Sequence, residues 1–389
     1  MNSCDFPPLN TLLDMPPDAL AAVTHADPYP FYDKLAAKPG LHFDAGLGLW
    51  VAASAKTVKA VMRHPDCRVR PLSEPVPAAI AGGAAGRIFS ALVRMNEDER
   101  HETPRLALQR ALAYISPFQA RRSADEIARR LWRDGDLSAW MLATPVSTVA
   151  SMMGFPDEQL PQVVGWMEDF VACLSPLSSA QQIAQAHAAA QELLQQFAQM
   201  VQEATEAASG VPAESLLANV IAEAQAVGWN DSAALLANLA GLLSQTYEAT
   251  AGLIGNSLVA LVRQPEDERS EPEDAATLVH TVIRCDPPVQ NTRRFVTHTC
   301  EVGGALLREG ETILLLLAAA SRDPAAECHE YGFGYGAHSC PGQIMASAIA
   351  TGAMEMLMSG PMRSAEILQS LRWTYRQSLN VRIPVFTRA

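Results

Sequence analysis

The chain has no Cys-x-x-Cys pair, no basic cluster, no apolar run of membrane length and no tandem repeat. Each absence removes a class of function. Its seven cysteines (Cys4, Cys67, Cys173, Cys285, Cys300, Cys328 and Cys340) are odd in number and scattered. Only the surroundings of Cys340 suggest a metal ligand. This usage fits free thiols in a reducing cytoplasm, not a disulfide scaffold. Lys and Arg total 29 against 42 Asp and Glu, a net charge of −13, and no stretch concentrates the cations. Nucleic acid and anionic membrane surfaces are therefore not expected partners. The longest apolar runs, such as 313–320, are far shorter than a bilayer span. Residues 1–8 carry neither a basic n-region nor an apolar h-region, so no secretory leader is expected.

What the chain does have is apolar mass and helical periodicity. Hydrophobic residues make up 49% of 389, enough for a large core. Such a length allows several domains or one large enzymatic fold. The expectation is one domain over 1–389 with a β-rich part near 40–70 and a helical core from near 90 to 389. Residues 41–43 and 49–53 alternate as strands around Gly46-Leu47-Gly48, a hairpin signal. Helical patterns cover 27–32, 56–63, 96–114, 124–154, 158–174, 180–208, 277–284 and 343–357. The longest covers 231–263, with Asn230 or Asp231 placed to cap it. The Pro-, Ala- and Gly-rich stretch 71–86 reads as a loop, and 296–317 and 372–386 read as short strands. The fold class is mainly α with small β-sheets.

Cys340 is the most informative residue because of its company. It closes the run Phe333-Gly334-Tyr335-Gly336-Ala337-His338-Ser339-Cys340-Pro341-Gly342, and a helical stretch follows. A cysteine just before a helix N-terminus is biased toward thiolate by the free N–H groups and the helix dipole. Glycines let backbone approach a flat ligand and donate N–H groups to sulfur. Taken singly, a cysteine is more often a small buried hydrophobe; the ten-residue pattern makes the difference.

That run resembles the haem-binding signature of the cytochrome P450 superfamily, soluble bacterial type. The resemblance extends in order from about Asp27 to Val385. It implies a P450 fold, a triangular prism with haem b between a long I-helix and an L-helix, and Cys340 as iron ligand. It implies that Phe333, Gly334 and Gly342 shape the ligand loop. His101 and Arg105 match the family's His-x-x-x-Arg, four residues apart and so on one helix face. Arg294, after Pro287-Pro288-Val289, and His338 complete a set of four propionate ligands by resemblance. A thiolate ligand pushes electron density onto iron and favours O–O cleavage.

Three departures set this chain apart. In the long helix Gln245-Thr246-Tyr247-Glu248-Ala249 replaces the usual Ala-Gly-x-acid-Thr, so Glu248 keeps the acid and Ala249 stands where a proton-delivering hydroxyl belongs. Thr250 lies about 100° further round and is no simple substitute. Glu248, Thr246 and Gln245 are therefore the candidates for proton relay and polar substrate contact, although Gln245 could instead satisfy backbone groups. In the K-helix Thr281 replaces the glutamate that normally pairs with Arg284. Only residues 325–332 separate Pro324 from Phe333, where the family usually carries a longer segment with an arginine of the same network. Joint loss of that network predicts that Thr281→Glu would bury an extra charge and destabilise the fold.

The expected function is a cytoplasmic monooxygenase tailoring a small molecule in bacterial specialised metabolism. Its electrons would come from a ferredoxin and a ferredoxin reductase. A monomer is expected, with no nucleic-acid or membrane partner. Two alternatives stand beside it. One is a haem-thiolate enzyme that is peroxide-driven, an isomerase or dehydratase, or a coupling catalyst. The other is a non-catalytic haem-binding protein, since fold alone does not fix function. The expected pocket wall runs through 86–95, 166–180, 242–249 and 289–291.

Overall fold

The computed structural model describes residue 4 and residues 14–133, 136–175, 178–206, 215–264, 274–362 and 364–388. The reading of the first eight residues, the helix end at 207–208 and part of the pocket stretch 166–180 fall outside these. Nine strands are found among the described residues. They are β1 (His42–Asp44), β2 (Leu49–Ala52), β3 (Cys67–Arg68), β4 (Asn291–Val296), β5 (Cys300–Val302), β6 (Ala305–Leu307), β7 (Thr312–Leu316), β8 (Leu371–Tyr375) and β9 (Pro384–Arg388). The largest sheet has the order β1-β2-β7-β4-β3, and β5-β6 and β8-β9 are separate hairpins. The β1–β2 turn forms because the Asp44 carboxylate accepts the N–H groups of Gly46 at 2.9 Å and Leu47 at 3.0 Å.

The expectation of a mainly α protein with small sheets holds. Helix Ser232–Arg263 is the longest among the described residues, and the Asp231 carboxylate caps it by accepting the Ala234 N–H at 2.9 Å. From Thr250 to Leu261 every residue of this helix is buried, so it runs through the core and not over it. It packs against Leu137–Met153, Ala275–Cys285, Ala84–Ala91 and Gln343–Ser359. Helix Gln343–Ser359 in turn lies along Pro117–Leu131. A Cβ at Gly352 would sit 2.2 Å from the Arg121 carbonyl oxygen, so only glycine allows that approach.

Several sequence expectations need correction. The single pattern over 124–154 is two helices, Pro117–Leu131 and Leu137–Met153, the second started by the Asp136 side chain on the Ala139 N–H at 2.9 Å. Helices Ala84–Ala91 and Leu216–Ala226 were not foreseen. The first lies partly in the stretch read as loop, because Gly- and Ala-rich composition hides a helix that tertiary packing stabilises. The cysteines are not all free, because Cys4 and Cys285 form a disulfide across 281 residues. Spacing could not disclose a pair that only the fold brings together. Among the described residues no helix is long and apolar enough to cross a membrane.

Candidate functional site

Helix Ser232–Arg263, helix Glu99–Ala113, β4 and the loop before Gln343 enclose a cavity of about 880 Å³. Residues 376–381, after β8, close another wall. Cys340, His101, Arg105, Arg294, His338, Phe333, Gly334 and Gly342 all line it, as do Gln245, Thr246 and Glu248. The fold therefore brings every sequence-predicted site residue to one space.

The Cys340 loop is shaped by backbone. The Cys340 N–H donates to the Phe333 carbonyl at 2.7 Å, folding the loop back on itself. Gly334 has φ +78, and a Cβ there would meet the His338 carbonyl oxygen at 2.5 Å. Gly342 caps helix Gln343–Ser359, with its Cα direction open toward the Cys340 sulfur, 3.9 Å from an added Cβ. The expected lowering of the thiol pKa at this helix end is not what the surroundings produce. Cys340 opens onto the cavity yet is enclosed by the fold, and that enclosure pushes the thiol up. The Gly342 N–H and the Arg105 charge oppose this and do not overcome it. A bound metal ion would reverse this balance, since it strips a coordinating thiol of its proton.

Around the cavity rim sits an excess of cationic groups. His101 and His338 rings lie 4.3 Å apart between centroids. Burial, then the charges of His338 and Arg105, push His101 down to about 4. Arg105 donates to the Ser339 carbonyl at 3.1 Å and to its hydroxyl at 2.9 Å. Arg294 is only 5% exposed, and its sole hydrogen-bond acceptor among the described residues is the neighbouring Arg293 carbonyl at 2.9 Å. A buried guanidinium without a carboxylate partner is costly unless an anion arrives. One carboxylate faces this group: Glu97, 2.9 Å from His338 and bonded to the Val69 N–H at 3.0 Å. Burial works to raise the Glu97 carboxyl, but His338, the Val69 N–H and Arg68 outweigh it and hold it low. Four potential cations against one carboxylate, with a buried unpaired Arg294 among them, fit a flat ligand bearing two carboxylates. Haem b is such a ligand, and Cys340 on the same cavity would offer its sulfur to the iron. Glu97 escaped the sequence reading, since nothing in its neighbourhood marks it.

On the opposite wall the three relay candidates are already engaged. Gln245 donates its amide N–H to the Gly241 carbonyl at 2.9 Å, and Thr246 donates its hydroxyl to the Leu242 carbonyl at 2.8 Å. Glu248 is held in an ion pair by Arg376, a residue the sequence reading missed because it lies 128 residues away. The Arg284 side chain makes no hydrogen bond or ion pair among the described residues, and both it and Thr281 are half-buried. A different buried pair stands at the end of that helix. Asp286 lies 3.1 Å from the Arg382 Nε, both nearly sealed from solvent. Arg382 also donates to the Val23 carbonyl at 3.1 Å, to that of His25 at 2.5 Å and to that of Ala26 at 2.9 Å. Tyr29 donates to Asp286.

No family model matches the chain. Among curated proteins it is similar to cytochrome P450 144 of Mycobacterium tuberculosis. The two are 25% identical over 386 residues, covering 92% of this chain and 88% of that protein. It is also 26% identical over 247 residues to the biotin biosynthesis cytochrome P450 of Bacillus subtilis, covering 59% of this chain and 60% of that one. Among solved structures CalO2 superposes with a TM-score of 0.77 at 21% identity, covering 97% of this chain and 98% of that one. P450BioI in complex with hexadec-9Z-enoic acid ligated acyl carrier protein gives 0.73 at 20% identity, covering 93% and 98%.

Proposed function

Because this chain belongs to the cytochrome P450 superfamily, oxidoreductases built around haem b, we propose that it is a monooxygenase. Its substrate would be a small organic molecule of bacterial specialised metabolism. The balance is one dioxygen, two electrons and two protons per substrate, giving hydroxylated product and water. Haem b held through Cys340 supplies the reductive activation of dioxygen when bound. A ferredoxin and its reductase would deliver the electrons to a monomeric, cytoplasmic enzyme.

The observation that carries this reading is the convergence of Cys340 with His101, Arg105, Arg294 and His338 on one cavity. In this account the two arginines and two histidines grip the cofactor's carboxylates, while Phe333, Gly334 and Gly342 hold the loop around the sulfur. The other wall selects and orients substrate. Gln245 donates one of its two amide N–H groups to Gly241, so its carbonyl oxygen is left to accept from a substrate hydroxyl or amine. Glu248 holds a proton-relay position, steadied by Arg376. Passing a proton on requires it to swing from that partner or act through water.

A second reading has its own support. Ala249 carries no hydroxyl, and Thr246 turns its own back onto the helix at Leu242. That wall suits chemistry without ordinary proton delivery to dioxygen, such as peroxide-driven oxidation. The ferrous carbon-monoxide difference spectrum of purified protein comes first, followed by turnover of a substrate panel. A thiolate-type Soret band with ferredoxin-driven product supports monooxygenation. The same band with product from peroxide alone supports the second reading. An imidazole- or thiol-type band, or no bound haem, overturns both.

A further inference from the structure

Among the described residues one cluster of metal-ligating side chains lies outside the cavity's own ligand set. A ring nitrogen of His64 and the sulfurs of Cys67 and Cys300 all lie within 4.8 Å of one another. They come from three separate places: the C-cap of helix Ala55–Arg63, β3 and β5. Cys67 is 4% exposed, whereas His64 and Cys300 are half-buried. The cluster is thus walled on the protein side and open on the other.

We propose that His64, Cys67 and Cys300 bind a zinc ion, with a water in the fourth tetrahedral position. Two sulfurs and one imidazole are the donor set zinc favours, and the contraction needed is small, since zinc–sulfur and zinc–nitrogen bonds are about 2.3 and 2.0–2.1 Å. Oxygen-seeking magnesium and calcium are disfavoured by the same set. Binding exchanges two thiol protons for one Zn²⁺, and no electron moves. As it stands the Cys67 thiol is held up at about 12 by burial and by the adjoining Cys300. A divalent ion supplies the charge that two neighbouring thiolates need. The Asp66 backbone N–H donates to the His64 Nδ1 at 3.2 Å and orients the ring, while the Asp66 carboxylate lies 2.9 Å from the His298 Nδ1 and keeps negative charge beside the cluster.

The site has a structural consequence independent of the monooxygenase reading. Cys67 pairs with Val296 at the end of β4, the strand that carries Arg294. A zinc ion would pin β3 and β5 to that end of β4, close to Arg294 on the cavity wall. The test uses intact haem-loaded protein and Zn²⁺ alone, with zinc counted against haem iron by elemental mass spectrometry. A competing chromophoric chelator gives the affinity. One zinc per chain is expected. Cys300→Ser should weaken it by more than the roughly 10–100-fold that loss of an outer-shell partner costs. Cys328→Ser, at an exposed thiol outside the cluster, should leave the affinity unchanged. Equal zinc binding by Cys300→Ser, or no zinc above that of a chelator-washed blank, overturns the proposal. So does a Cys67–Cys300 disulfide in peptide maps of freshly purified protein. Circular dichroism of each variant shows that a lost zinc is not a lost fold.

Discussion

Arg294 is nearly sealed from water and, among the described residues, its side chain hydrogen-bonds only a backbone carbonyl, with the Glu97 carboxylate nearby but not paired to it; an anion in the cavity would complete it. The same logic governs His101, whose surroundings keep it neutral. Its pKa falls to about 4 in the folded chain, while an unfolded histidine titrates near 6.5. Between those values the unfolded chain binds more protons, so stability falls as pH drops through that window. At about 1.4 kcal/mol per unit the loss is on the order of 3 kcal/mol. Denaturant titration of haem-free protein from pH 7 to 4 should show this fall, and His101→Gln should flatten it. A steep fall that persists in the variant would remove His101 as the cause. At Ala249 the expected outcome concerns coupling. Ala249→Thr restores a hydroxyl on the cavity wall and should lower the hydrogen peroxide released per NADH consumed in ferredoxin-driven turnover. An unchanged ratio would mean that protons reach the site by another route.

At the scale of elements, what could be read in the sequence was local. Asp231 as a cap, His101 and Arg105 on one helix face, the Gly46–Gly48 turn and the Cys340 loop all depend on neighbours within a few residues. Glu97, Arg376 and the His64–Cys67–Cys300 cluster depend on strands and helices that meet only after folding, and no spacing rule marks them. The Thr281 departure shows the same limit. With Thr281 and Arg284 both half-buried, the expectation that Thr281→Glu destabilises gives way to a milder one. A glutamate there is three residues from Arg284 on the same helix, so the change should stay within about 0.5 kcal/mol in thermal melts. A loss of several kcal/mol would instead show that position 281 tolerates no charge. Gly352→Ala is the contrasting case. Its Cβ meets backbone of the neighbouring helix at 2.2 Å, and such overpacking typically costs about 1–3 kcal/mol. A melting temperature equal to the parent's would show that helices Pro117–Leu131 and Gln343–Ser359 separate easily.

For the whole molecule the Asp286–Arg382 pair matters most. Arg382 is the largest fully buried side chain among the described residues, and it joins the start of the fold, the end of helix Ala275–Cys285 and the approach to β9. Removing one partner of such a pair costs about 3–5 kcal/mol because the other charge stays buried. Arg382→Met should therefore lower the melting temperature far more than Asp286→Asn combined with Arg382→Met. Equal losses would show that shape, not charge, is what the site requires. The pair also fixes an order in time. Arg376 through Val381 wall the cavity, and the next residue, Arg382, grips the carbonyls of Val23, His25 and Ala26, made far earlier in synthesis. A ribosome still holding residues 376–382 leaves the carbonyls of Val23, His25 and Ala26 waiting and the cavity without that wall. The chain can gather much of its core early in translation, but only the arrival of residues 376–382 lets it shut the chamber that its cofactor will occupy.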